Sequence, residues 1–307
     1  MKGTFTGKIG RWFRVTGEFE IPDVIPPVEP PPPPPVEPPP VEGKNILFSH
    51  DFEDNTIGNY WDSGEWSKDW FDIPENKAMN KDLTEIVSLG DRKCLMSVHP
   101  AGTFNPGNGS DGNGLHYKPH LPGAHTQLYM SYDVFFPINW EWTYGNKLPG
   151  FNAGHFDSSP EDEAPYSYEW SWGGGMGMSI QKEGNLAAYF YHHNKEHRWG
   201  DSLSAHYLMP RGEWTTVTQR VVLNEVGSSN GLIEVFVNGE LKAGRYNLKF
   251  RNLEEITIDR LKIYTHHGGG DVRWAPQKTQ NLYLDNFVVF NYEGEGHDRS
   301  PAGRVLT

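Results

Sequence analysis

Residues 214–241 read WTTVTQRVVLNEVGSSNGLIEVFVNGEL. Two apolar, β-branched runs, Trp214–Leu223 and Gly231–Val237, flank a Ser-Ser-Asn-Gly break, and Asn238-Gly239 leads from the second run into Glu240-Leu241. Val, Ile, Thr and aromatic side chains suit a pleated surface, and Asn-Gly supplies the positive-φ positions of a tight hairpin turn. The stretch therefore predicts antiparallel strands. Working outward, the same pattern recurs at Ile46–Phe48, Cys94–Val98, Gln127–Phe135, Gly177–Gln181, Leu186–His192, Arg260–Tyr264 and Leu282–Phe290. Gly, Asn, Asp and Pro clusters such as NPGNGSDGNG (105–114) and HHGGGD (266–271) punctuate these runs. No segment holds a long 3.6-residue period. Many short strands with turn signals between them predict an all-β fold, a two-sheet antiparallel sandwich or β-jelly roll.

The boundary of that domain is compositional. Between Pro22 and Pro40 lie 12 of the chain's 24 prolines, so this stretch cannot build a core and reads as a polyproline-II spacer. Ahead of it, residues 1–21 alternate Phe5, Ile9, Trp12, Phe13, Val15, Phe19 and Ile21 with polar positions, which predicts one or two short strands. Twenty residues bury too little to be stable alone, so this piece is expected to bind a structural partner or copies of itself. The expected organisation is a β tether over 1–21, a Pro-rich linker over 22–42, a jelly-roll domain over 43–292 and a polar tail over 293–307. The tether carries Lys2, Lys8, Arg11 and Arg14 and no apolar core, unlike a secretory leader. Tether, rod and absent leader suit an extracellular or virion-associated protein.

Composition narrows the function. Acidic residues number 40 against 27 basic ones, a net charge of −13 that disfavours nucleic-acid binding. One cysteine, Cys94, excludes an internal disulfide or a cysteine-based zinc cage, and no run approaches the ~20 apolar residues of a membrane span. Neither H-E-x-x-H, nor an Asp-rich calcium loop, nor a nucleophile elbow is present, so no metal or cofactor is expected.

Three stretches carry candidate chemistry. Lys147 lies in Gly145–Gly150, ahead of a Pro-Gly turn and after Trp140, Trp142 and Tyr144, which can form a wall for a sugar ring. Tyr189 and Tyr191 share one face of a strand, with His192, His193, Lys195, His197 and Arg198 following. Two phenols beside cations can serve as proton acceptor and donor. His266 and His267 precede the glycine run 268–270, and as adjacent strand residues they face opposite ways. Glu169, among Tyr168, Trp170 and Trp172, is the best candidate acid, but no second carboxylate pairs with it. The first two stretches also admit a plain structural reading, a solvated lysine and packing tyrosines, and the paired histidines could bind a metal only with help from elsewhere, the weaker reading.

Taken together, K-L-P-G at 147–150, Tyr-Phe-Tyr-His at 189–192 and G-G-x-D-x-x-W-A-P-x-K ending at Lys278, followed by Tyr283-Leu284-Asp285-Asn286-Phe287, resemble polysaccharide lyase family 14, the alginate and glucuronate lyases. The resemblance covers roughly residues 44–292. It implies a jelly roll whose concave face binds an acidic polysaccharide and a metal-independent β-elimination at a uronate. Carried over by position, it implies Lys147 as the essential lysine, Tyr189 and Tyr191 as base and acid, and His266 or His267 in the cleft. His192, Arg198, Trp142 and Glu169 complete the expected substrate-binding set. One departure stands out: the family's Ser-x-Arg on the preceding strand falls on Gly175-Met176-Gly177, leaving no arginine. That loss admits a rival, a binding or display protein on the same fold that has lost catalysis.

Overall fold

The computed structural model describes residues 2–9, 13–20, 43–71, 80–105, 112–153, 176–193, 200–269 and 271–292. The chain divides into two units, Met1–Pro35 and Val36–Thr307. In the first, β1 (Lys2–Ile9) and β2 (Phe13–Glu20) form an antiparallel hairpin in register from Lys2↔Glu20 to Ile9↔Phe13. The expected polyproline rod and the polar tail lie outside the described residues.

The second unit opens with β3 (Lys44–His50), β4 (Gly58–Asn59), β5 (Thr84–Leu89) and β6 (Arg92–His99). There follow β7 (His116–Tyr117), β8 (His120–His125), β9 (Gln127–Phe135) and β10 (Gly145–Ala153). Next come β11 (Met176–Gln181), β12 (Asn185–Phe190), β13 (Asp201–Leu208) and β14 (Trp214–Val222). The last four are β15 (Gly231–Val237), β16 (Glu240–Leu248), β17 (Ile258–Tyr264) and β18 (Gln280–Tyr292).

These strands make two antiparallel sheets packed face to face, a β-jelly roll. The outer sheet runs β16-β15-β14-β9-β18-β6-β5-β4, with β3 also on β18. The inner sheet runs β13-β12-β11-β10-β17-β7, with β8 also on β17. The quoted 214–241 stretch forms β14, β15 and the start of β16, and Asn238 (φ 49°) and Gly239 (φ 84°) make the left-handed turn.

The core lies between the sheets, and period two decides which residues enter it. From the inner sheet come Leu148, Phe151, Leu186, Ala188, Phe190, Leu261 and Ile263; from the outer come Met130, Tyr132, Val134, Val217, Val221, Ile233, Leu284 and Phe287. Each large apolar side chain buried this way contributes on the order of 1.5–3 kcal/mol.

One expectation is corrected. Pro149-Gly150 is not a turn after a loop lysine but the middle of β10, central in the inner sheet. Proline has no N–H for the ladder, so the register with β11 shifts between Leu148 and Gly150 and the strand continues past the bulge. The strand at 201–208 was not foreseen either: SLSAHYL reads polar because β13 is an edge strand with a largely open face.

Candidate active site

The concave face of the inner sheet is built from the positions that point away from the core. On β12, Leu186, Ala188 and Phe190 are buried in the core, so Tyr189 and Tyr191 face the other way. On β17, Leu261 and Ile263 enter the core, and Arg260, Lys262, Tyr264 and then His266 alternate onto the concave face. Lys147 joins the row of His266, whose carbonyl accepts the Lys147 backbone N–H at 2.8 Å.

Lys147 reaches across β11 towards Tyr189. In the ladder, Lys147 pairs with Ser179, and Gly177 pairs with Tyr189 on one side and Gly150 on the other. Across that strand, Nζ sits 3.9 Å from the Tyr189 ring centroid. Gly268 makes room for the lysine stem: a Cβ there would lie 2.8 Å from Lys147 Cε. The next residue, Gly269 (φ 130°), lies under the Trp274 indole, where a Cβ would come within 2.0 Å. The glycine run before Asp271 thus admits Lys147 on one side and Trp274 on the other.

The tyrosines form a hydrogen-bonded pair. Their hydroxyl oxygens are 3.1 Å apart, and the Gly200 backbone N–H donates to Tyr189 Oη, also at 3.1 Å. Lys147 is half-buried, and among the described residues it has no carboxylate partner; desolvation brings its pKa down to about 8. His266 is buried, and its Nδ1 has no hydrogen-bond partner among the described residues. Burial first, then the neighbouring His116, Lys147 and Lys262, hold it well below the usual histidine range, so the ring is neutral.

The remaining expected residues separate. His267 is not in the cleft: it is fully buried, its ring 3.0 Å from both the Thr143 hydroxyl and Gln280 and stacked on Trp140. Strand parity sends it to the core side and its neighbour His266 to the cleft. Parity also withdraws His192, which is buried beside Phe190 with Nε2 2.9 Å from Asp201. Trp142 is half-buried against the core, below the Arg211 guanidinium at 5.1 Å, on the rim of a hollow shared with Glu141 and Lys278. Arg198 and Glu169 lie outside the described residues.

Sequence reasoning missed His116, Lys118, Lys262 and Tyr264. His116 stacks on Tyr264 with ring centroids 3.6 Å apart, while the ammonium groups of Lys262 and Lys118 lie 4.6 and 5.6 Å from the same ring. The alternation Arg260-x-Lys262-x-Tyr264-x-His266 was the available signal. It makes a cationic strip on a chain of net charge −13. Among the described residues, no three His, Cys, Asp or Glu side chains converge to hold a metal.

Comparison with known proteins gives the family and the fold. The sequence profile of Polysaccharide lyase 14 matches residues 89–287. Among solved structures, alginate lyase Aly36B superposes with a TM-score of 0.65 at 19% identity, over 79% of this chain and 95% of that one. A marine PL-14 alginate lyase from Aplysia kurodai gives 0.66 at 17% identity, over 80% and 98%. Alginate lyase vAL-1 from Chlorella virus gives 0.60 at 17%, over 81% and 100%. At these identities the structures establish the shared fold. No curated protein sequence matches significantly.

Proposed function

This chain belongs to polysaccharide lyase family 14, whose members are carbon–oxygen lyases, and we propose that it cleaves a uronate-containing polysaccharide of the alginate or glucuronan type by β-elimination. The observation that carries this reading is the Lys147 ammonium 3.9 Å from the ring of Tyr189, itself hydrogen-bonded to Tyr191, on a face lined with cations. In this reading Lys147 and the strip at Lys262 neutralise substrate carboxylates, which acidifies the adjacent C–H. One tyrosine oxygen takes that proton, the C–C double bond forms as the glycosidic C–O bond breaks, and the other tyrosine protonates the departing oxygen. Neutral His266, with its free Nδ1, hydrogen-bonds a sugar hydroxyl.

A second line of support is spacing. The lysine and tyrosine replaced in an alginate tetrasaccharide complex of Aly36B lie 42 residues apart in their chain, and Lys147 and Tyr189 lie 42 apart here. The test is ultraviolet absorbance during incubation with alginate, glucuronan and related uronate polymers, since β-elimination creates an absorbing unsaturated uronate. The expected result is a rise that Lys147→Ala reduces by about 10²–10³-fold or more. Tight binding with a flat trace from folded protein would replace the enzyme by a binding module in which Gly177 is the defect.

The β1–β2 hairpin and the Pro-rich stretch support a further part of the reading: residues 1–21 dock the lyase domain on a structural partner or on copies of themselves, as on a virion. A chain lacking residues 1–42 should lose that association in light scattering. Full-length protein that stays monomeric and binds no particle would remove this part and leave the lyase untouched.

A further inference from the structure

Tyr189 and Tyr191 are alike in sequence but not in surroundings. The Tyr189 oxygen accepts the Gly200 N–H at 3.1 Å, and its ring faces the Lys147 ammonium. Gly200 makes this contact by approaching both rings: a Cβ there would lie 2.8 Å from the Phe190 carbonyl oxygen, 3.0 Å from Tyr191 Cε2 and 3.1 Å from Tyr189 Cζ. Only glycine fits.

What holds Gly200 there is its neighbour. The Asp201 carboxylate is 2.9 Å from His192 Nε2 and 3.2 Å from Arg245 Nη1. His192 directly follows Tyr191, on the core side, and Arg245 belongs to β16, the edge of the other sheet. Asp201 thus ties the edge strand β13 to the end of β12 and to the outer sheet. Both attachments are made one residue from Gly200, whose N–H meets the Tyr189 oxygen.

We propose that Asp201 is a positioning residue that, through the Gly200 backbone amide, makes Tyr189 the proton acceptor of the pair and leaves Tyr191 the proton donor. The Tyr189 oxygen accepts a fixed backbone N–H and its ring faces an ammonium, and a fixed donor and a nearby cation both favour negative charge developing there in the reaction. Tyr189 oxygen then takes the proton from the carbon beside the substrate carboxylate, forming O–H as C–H breaks. The electron pair becomes the new double bond, the glycosidic C–O bond breaks, and the Tyr191 hydroxyl proton passes to the departing oxygen. This rests on the lyase reading above and assigns its two roles. The titratable groups around the pair among the described residues are Lys147 in front, with His192, Asp201 and Arg245 behind.

The test is the pH dependence of kcat for Gly200→Ala, Asp201→Asn, Asp201→Glu and Tyr189→Phe, with KM and melting temperature read in parallel. Losing the donor disfavours the anion, so in Gly200→Ala and Asp201→Asn the ascending limb of the kcat profile should move to higher pH. At neutral pH kcat should fall about tenfold, the equivalent of one hydrogen bond to a charged group, with KM little changed. Asp201→Glu, which keeps the charge, should recover part of the loss. Unshifted profiles in both variants, with Tyr189→Phe inactive, would show the clamp to be structural only and overturn the proposal. Full activity of Tyr189→Phe would instead sink the tyrosine mechanism itself. If Gly200→Ala does not fold, Asp201→Asn and the half-exposed Arg245→Gln decide by the same profile.

Discussion

Arg220 on the outer sheet and Lys147 on the inner sheet are both cations drawn out of water, and their surroundings differ in kind. Arg220 is fully buried, its guanidinium 3.1 Å from an equally buried Glu234 and 5.5 Å from the Tyr129 ring. Tyr246 donates a further hydrogen bond to the other Glu234 oxygen at 3.0 Å. Lys147 has an aromatic ring, a histidine row and Gly268 beside it, and no acid among the described residues. A buried charge with its counter-ion is neutral to its surroundings. One without is held at a disadvantage that a bound anion can relieve. The contrast separates a charge that belongs to the fold from one that awaits a ligand.

Substitutions can break this contrast in either direction. The largest effects should come from single removals. Lys147→Met should abolish lyase turnover while leaving the melting temperature unchanged or higher, by about 2–4 °C per kcal/mol recovered. Arg220→Met should do the opposite: strand Glu234 in the interior, destabilise by about 3–5 kcal/mol in denaturant melts, and leave kcat of the folded fraction intact. An Arg220→Met protein as stable as wild type would dissolve the distinction.

A smaller effect sharpens it through pH. With the Lys147 pKa brought down to about 8, below its unfolded value of 10.5, the unfolded chain holds a proton between those limits that the folded chain lacks. Stability should therefore rise as pH goes from about 8 to 10.5, and below 8 the penalty is fully present. Lys147→Met should flatten this slope in melts taken across the range. Turnover that needs the ammonium should meanwhile decline above pH 8, giving activity and stability opposite trends.

The smallest expected effect lies at the outer-sheet bulge. Asp285 is buried, and desolvation lifts its pKa to about 6, with Asp133 adding to the shift and Arg92 opposing it at 3.5 Å. The folded state here holds the extra proton, so this group's contribution falls as pH rises from about 4 to 6. Asp285→Asn should be modestly stabilising at pH 7, by about 1 kcal/mol, and neutral at pH 4. Equal stability changes at both pH values would assign the effect to hydrogen bonding rather than charge.

Much of the fold was legible because alternation is local. β9 and β15 were expected with their observed ends, and β14 to within one residue, since β-branched runs bounded by turn residues admit few other readings. β10 was not legible: Pro149-Gly150 signals a turn locally, and only its place between β11 and β17 makes a bulged central strand of it. At the site, Lys147, Tyr189 and Tyr191 were nameable from short motifs. His267 and His192 were named with them and proved to be buried partners of Gln280 and Asp201. Lys262 and His116 went unseen although their strands alternate, because nothing local distinguishes a cation facing a cleft from one facing bulk water.

What the order of residues settled is therefore what depends on neighbours along the chain: strand periodicity, the Asn238-Gly239 turn, and Tyr189 and Tyr191 sharing a face. What required the folded sheets is what depends on partners far apart in sequence. Gly268 makes room for Lys147, Gly200 donates to Tyr189, and Arg245 reaches Asp201 from the opposite sheet. Desolvation is collective in the same way. The lowered pKa of Lys147 and the neutrality of His266 arise from everything packed around them, and no short stretch of sequence contains that.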